Sequence, residues 1–177
     1  MKQLLALIVV LISFTFSPQS MAEQPQAIGW IEHVQVQPPQ SANSPVGGLI
    51  LKAKIDTGAD NSSVHAEQIS VYQKDGTEWV KFSIKNKSGQ QAEFNLPLTR
   101  YTMIKRRGVE AIKRPVVSMT LCLGNTLRQV DINLANRENF RYRMLIGRSY
   151  LQDSLLVNSG QKYTVEPNCQ ERNLANL

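Results

Sequence analysis

Short runs of period-two alternation, with no stretch of helical period anywhere, most limit the folds open to this chain. In GLILKAKID (48–56), Leu49, Leu51, Ala53 and Ile55 share one side of an extended strand. IGWIEHVQV (28–36) alternates in the same way and reads as one strand. WVKFSIKN (79–86) and QAEFNLPL (91–98) form the clearest hairpin, with Lys87, Ser88 and Gly89 supplying its turn. PVVSMTLCLGNTLRQVDINLAN (115–136) reads as a second hairpin tipped by Gly124-Asn125. Its return strand keeps phase only if a bulge follows Arg128. QPPQSANSP (37–45) is a loop, and NSSVHAEQI (61–69) a turn leading into a short helix or extended piece. YRMLIGRSYL (142–151) is an apolar strand ending at Gly147 with a helical turn behind it, and KYTVE (162–166) a last strand. Many short strands with regular turns predict one all-β domain, a barrel or sandwich.

The N-terminus sets the expected compartment. Lys2 precedes LLALIVVLISFTF (4–16), the length of a secretory apolar segment and short for a bilayer span. Small residues at Ser20 and Ala22 predict cleavage after Ala22, so that residues 1–22 are a signal peptide. Removing 22 of the 177 residues leaves 155, a normal single-domain length. The expectation is a domain at 23–165 with a tail at 166–177, periplasmic or secreted, with no stable membrane span after cleavage. Oxidising surroundings permit a disulfide between Cys122 and Cys169, the alternative being two free thiols. The formal charge is +6, and the cations concentrate in RYTMIKRRGVEAIKR (100–114). A solvated surface accounts for that segment, and so does a face for acidic peptides or envelope anions. No nucleic-acid partner is expected, because no aromatic residues interleave with the cations of an exported chain.

The strand 48–56 ends on Asp56, and aspartate is a poor strand residue whose burial is costly without partners. A tight turn through Thr57, Gly58 and Ala59 follows at once. A structural turn explains the three residues Asp-Thr-Gly alone. The context points further. IDTGA (55–59), the hairpin at 79–98 and MLIGRSYL (144–151) together resemble the retropepsin-like aspartic proteases. LKAKIDTGADNSSVHA, RPVVSMTLCLG and MLIGRSYL are similar to one bacterial group in particular. That group is often labelled ATP-dependent zinc protease and is now regarded as retropepsin-like. The resemblance runs from about residue 28 to 165.

The resemblance implies an all-β, retropepsin-like (acid protease) closed barrel with few short helices. It implies an aspartic endopeptidase with Asp56 as the catalytic carboxylate. Two such carboxylates sharing one proton split the roles of base and acid, since like charges that close cannot both ionise. The sequence carries no second Asp-Thr-Gly or Asp-Ser-Gly, so a homodimer is expected, with one Asp56 from each copy. Thr57, Gly58 and Ala59 would support the site. Gly58 would let the backbone pass close to the carboxylate, Thr57 would bond across to the partner loop, and Ser63 is a further candidate. Asp60 and Arg148 occupy the positions of an ion pair that braces the turn. The flap is expected at 79–98, with the polar tip NKSGQQ. The expected substrate is a peptide or protein, acidic if the basic segment lines the cleft. No cofactor is expected. Zinc is unmotivated, with His33 and His65 on different segments and no CxxC or HxxxH spacing, and ATP finds no P-loop. The competing class is a non-catalytic peptide- or anion-binding module on the same fold.

Overall fold

A computed structural model of the chain describes residues 24–37, 48–106 and 108–169. The expected leader, most of the loop 37–45 and the end of the tail lie outside the described residues. Within them run β1 (Gln26–Gly29), β2 (Ile31–Gln37), β3 (Leu49–Ile55), β4 (Ser62–His65), β5 (Glu67–Lys74), β6 (Thr77–Lys85), β7 (Gln91–Arg106), β8 (Val109–Leu123), β9 (Thr126–Ala135), β10 (Met144–Ile146), α1 (Arg148–Leu151) and β11 (Leu155–Asn158).

The sheet order is β2-β3-β10-β4-β9-β8-β7-β6-β5, and β2 also pairs with β8 through Gln35 to Gln37. That second pairing closes six strands into a barrel, which removes the open edges a flat sheet would leave. β10 lies parallel to β3 and antiparallel to β4, while β4 lies parallel to β9. Parallel pairing of this kind is buried, and β4 is buried at every position. β3 behaves as its alternation requires. Leu49, Leu51, Ala53 and Ile55 are in the core, and Ile50 and Lys52 face out. Phe82 and Phe94 stack across β6 and β7 with ring centroids 5.1 Å apart and join the same core.

Several expectations need correction. The run 28–36 is two strands broken at Trp30, because the Gly29 N–H turns inward to the buried Glu32 carboxylate at 2.6 Å. Glu32 is fully buried and also accepts from the Thr164 N–H at 3.0 Å and the Thr164 hydroxyl at 2.7 Å. Such a set of donors offsets the cost of removing the carboxylate from water. It also explains why KYTVE is not a strand: its backbone bonds go to Glu32 and to the Ile31 carbonyl. The strand lies earlier, at β11, parallel to β1. Of the two alternatives for residues 61–69 the extended one holds: they carry β4 and the start of β5. β9 keeps an unbroken register with β8 from Val116↔Asn133 to Leu123↔Thr126. No bulge follows Arg128, and Leu127 instead sits half-buried on the face opposite Val130 and Ile132. Cys122 and Cys169 form a disulfide, which fastens the chain after β11 to β8.

Candidate active site

The core side chains of β3 fix where Asp56 emerges. The Ile55 N–H bonds to the Trp30 carbonyl at 2.9 Å and the Asp56 N–H to the Ile146 carbonyl at 2.8 Å. The strand end is thus gripped from both neighbours. The Ala59 N–H returns to the Asp56 carbonyl at 3.1 Å, closing the turn, and the Gly58 N–H points at Asp56 Oδ1 at 3.3 Å. Asp56 is half-buried, and Thr57 and Gly58 are exposed beside it.

The second half of the brace comes from Gly147 and α1. The Arg148 N–H bonds to the Ala59 carbonyl at 2.8 Å and the Ser149 N–H to the Asp60 carbonyl at 2.9 Å. The Arg148 guanidinium donates to the Thr57 carbonyl at 2.9 Å and pairs with the Asp60 carboxylate. One side chain therefore spans the turn from both ends. Gly147 is where the fold needs the absence of a side chain. A Cβ there would lie 2.6 Å from the Asn61 carbonyl carbon and 3.0 Å from the Ala59 oxygen. At Gly58 a Cβ would meet only Asp56 Oδ1, at an ordinary 3.4 Å, so within one chain the steric reason expected for Gly58 belongs to Gly147. Ser62, not Ser63, supports the turn: its hydroxyl accepts the Gly147 N–H at 3.1 Å. Ser63 is buried with its hydroxyl unpartnered.

Cations surround the turn. Arg100 on β7 reaches Asn61 Oδ1 at 3.4 Å and Asp131 at 3.4 Å. Arg137, in the loop between β9 and β10, is half-buried, stacks on Phe140 and donates to the Tyr142 carbonyl at 3.2 Å. Tyr142 in turn packs edge-on against Trp30, whose carbonyl holds Ile55. Burial pulls the Arg137 ionisation down, the like charge of Arg114 adds to that, and Asp56 opposes it. Asp56 and Arg114 thus both lie within electrostatic reach of Arg137. Sequence reading missed Ser62, Arg137 and the role of Arg100. Nothing in RENFRYR (137–143) carries a periodicity that would have singled Arg137 out.

The hairpin expected as a flap lies elsewhere. The β6–β7 turn rests against Ile50, six residues before Asp56, where Asn86 Nδ2 donates to the Ile50 carbonyl at 3.4 Å. The hairpin rooted at the aspartate turn is β7–β8, which carries the basic segment. The histidines are apart. His33 faces Glu166 at 3.1 Å, and His65 is buried. His65 Nδ1 accepts the Arg137 N–H at 2.9 Å, which leaves its proton on Nε2, 3.3 Å from Glu67.

A closed β barrel with an Asp-Thr-Gly-Ala turn locked to a later Gly-Arg segment defines the retropepsin-like class. The chain belongs to the RimB-like family, described as retropepsin-like aspartic endopeptidase RimB, which it matches over residues 28–168. A crystal structure of a protein of unknown function from Legionella pneumophila superposes with a TM-score of 0.64 at 30% identity, covering 79% of this chain and 98% of that one. Among curated proteins, a probable alpha-L-glutamate ligase of Shewanella pealeana is 31% identical over 121 residues, 67% of this chain and 26% of the relative. One of Desulfotalea psychrophila is 31% identical over 111 residues, 61% of this chain and 24% of the relative. This chain therefore matches about a quarter of the length of those relatives.

Proposed function

We propose that the protein is an exported aspartic endopeptidase, active as a homodimer in which two Asp56 carboxylates meet and share one proton. The observation that carries this reading is the aspartate turn itself. A half-exposed carboxylate is held by backbone bonds from two strands, and Arg148 ties both ends of its turn. A plain surface turn needs no such bracing, whereas a reacting group needs fixed geometry. In the pair, the ionised carboxylate takes a proton from water as the oxygen attacks the peptide carbonyl. The protonated one gives its proton to the carbonyl oxygen. Collapse of the tetrahedral species breaks the C–N bond: the amine leaves with the proton the first carboxylate had taken, while a hydroxyl of the diol returns a proton to the second carboxylate, which leaves a carboxylic acid and restores the shared proton. Thr57 is exposed beside Asp56, where it can bond to the partner copy's turn.

The substrate class follows from charge. Arg114 and Arg137 favour a peptide with carboxylates near the scissile bond. The relatives named probable alpha-L-glutamate ligases support the same chemistry, a glutamyl peptide. The disulfide supports an oxidising compartment, and with it export.

The test pairs cleavage with solution mass, for the protein and for Asp56→Asn at the same concentrations. Cleavage of a peptide library by a dimer, lost in Asp56→Asn with fold and mass unchanged, is the expected result. A folded monomer that cleaves nothing at any pH overturns the enzyme reading and leaves an anion-binding module on the same fold.

A further inference from the structure

A second concave feature lies upstream of Asp56 on its own strand. It is a cleft of about 300 Å³ lined by His33, Ile50, Lys52, Lys85, Lys87, Arg141 and Arg143, among others. Its floor is a row across β2, β3 and the residue just before β10. His33 on β2 pairs with Lys52 on β3, and the β3–β10 register of Ala53↔Met144 puts Arg143 on the other side of Lys52. Its far wall is the β6–β7 turn. That turn is fixed by Asn86, whose Oδ1 accepts from Ser88 at 2.8 Å and from the Gln90 N–H at 2.9 Å. The Asn86 amide is also anchored to the Ile50 carbonyl. Among the described residues no carboxylate pairs with Lys52, Lys85, Lys87, Arg141 or Arg143. The one acidic group at the rim is Glu166, on His33. Like charges gathered in one concavity repel each other and concentrate a positive potential that an anion relieves.

We propose that this cleft is a second binding site, taking the carboxylates of an acidic peptide segment while the peptide's scissile bond lies at Asp56. The last clause rests on the peptidase reading; the anion site does not. Two features select an extended peptide over a compact phosphate. Lys52 comes from β3, Lys85 and Lys87 from the end of β6 and its turn, and Arg141 and Arg143 from the loop before β10. Ile50, Lys52 and Lys54 also face out along the strand that ends at Asp56. Lys52 is four residues upstream, about 13 Å along an extended strand, which about four residues of extended substrate would span. The β9–β10 loop joins the two places, with Arg137 toward Asp56 and Arg141 and Arg143 in the cleft.

The experiment uses the full chain, expressed and purified with Asp56→Asn so that binding is read without turnover. Fluorescence anisotropy follows a labelled octaglutamate, with octaglutamine as the uncharged probe. Octaglutamate binds and octaglutamine does not. The added pair Lys52→Gln and Arg143→Gln weakens octaglutamate about tenfold, the effect of two exposed charge pairs lost together. Lys52→Arg with Arg143→Lys restores binding, and Lys81→Gln on the outside of β6 changes nothing. Equal affinity in the Gln pair overturns the proposal, and so does binding to phosphatidylglycerol vesicles with none to the peptide. With Asp56 intact, a Gln pair that cleaves glutamyl peptides at unchanged KM sinks the cleft and leaves the peptidase standing. Binding lost in the Gln pair, with no cleavage by the intact protein, sinks the peptidase and leaves the cleft.

Discussion

The aspartate turn and the β7–β8 arm are neighbours held in opposite ways. In the turn, the backbone groups of Asp56, Ala59 and Asp60 are engaged by β10, by the turn itself and by α1, and Arg148 ties the ends. The arm leaves the barrel where β8 stops pairing with β9 at Val116. From there to its tip it is a two-stranded ribbon, with Met103 and Ile112 exposed at 54% and 41%. A two-stranded ribbon is marginal by itself in water. The molecule is therefore rigid at the aspartate turn and pliant beside it; in the proposed peptidase the pliant side is the one that would admit substrate.

Breaking the turn chemically gives the largest effect. Asp56→Asn is expected to abolish peptide cleavage, read by mass spectrometry of a digested peptide library, with no change in thermal unfolding. Hydrogen exchange sharpens the contrast without any mutation. Amides of residues 101–104 and 110–114 are expected to exchange orders of magnitude faster than those of Asp56 and Arg148, because opening the ribbon leaves the barrel intact. Slow exchange in the arm would show that something other than its own ladder holds it.

Two glycines separate the regions by stability. Gly147→Ala forces a Cβ into the Asn61 carbonyl and is expected to cost about 3 kcal/mol in urea unfolding. Gly108→Ala, at a φ of +73° with nothing near, strains only the arm and costs about 1 kcal/mol or less. Arg148→Met comes next. It removes one hydrogen bond and one ion pair, both exposed, for about 1 kcal/mol. Its effect on kcat is expected to exceed its effect on stability, because it frees the turn without unfolding the barrel.

The smallest effect lies at high pH. Tyr150 on α1 is buried and donates to the Thr126 carbonyl at 2.6 Å, and burial pushes its phenol well above its usual value of 10.0. The folded state then holds a proton that the unfolded chain releases. Stability is steady below about pH 10 and falls as pH rises beyond it. Tyr150→Phe flattens that alkaline slope in a melting series. Tyr101→Phe, on the arm, flattens it less: that phenol is also raised, by desolvation and by Glu78, but without the large shift of Tyr150.

The same contrast governs what could be read from the residues. β3 and the β6–β7 and β8–β9 hairpins announce themselves because each buries one face and alternates accordingly, and the strand into Gly147 does so as an unbroken apolar run. β5 does not, because none of its residues is buried and no alternation is imposed on it. Its one signal is Asp75-Gly76, both at positive φ, the residue pair that a tight hairpin turn selects. KYTVE misleads for the opposite reason: it alternates, but a buried carboxylate takes its backbone bonds. At the site, Asp56, Asp60 and Arg148 stand out through a short pattern around an unusual aspartate. Ser62 acts through a bond to the end of the neighbouring β10, far off in sequence, and Arg137 is placed by the irregular path of its own loop; no local spacing encodes either.

The disulfide has a consequence for how damage to this protein would appear. Cys122 and Cys169 are 47 positions apart, and between them lie β9, the arginine-bearing loop, β10, α1 and β11. A backbone cut anywhere in that span leaves two pieces still joined by the sulfur bridge. Such a nicked molecule keeps its mass apart from one added water, runs as a single species without reductant, and separates only when a thiol is added. For a chain proposed to cut peptides, self-cleavage in that span would go unseen in any preparation judged intact under oxidising conditions.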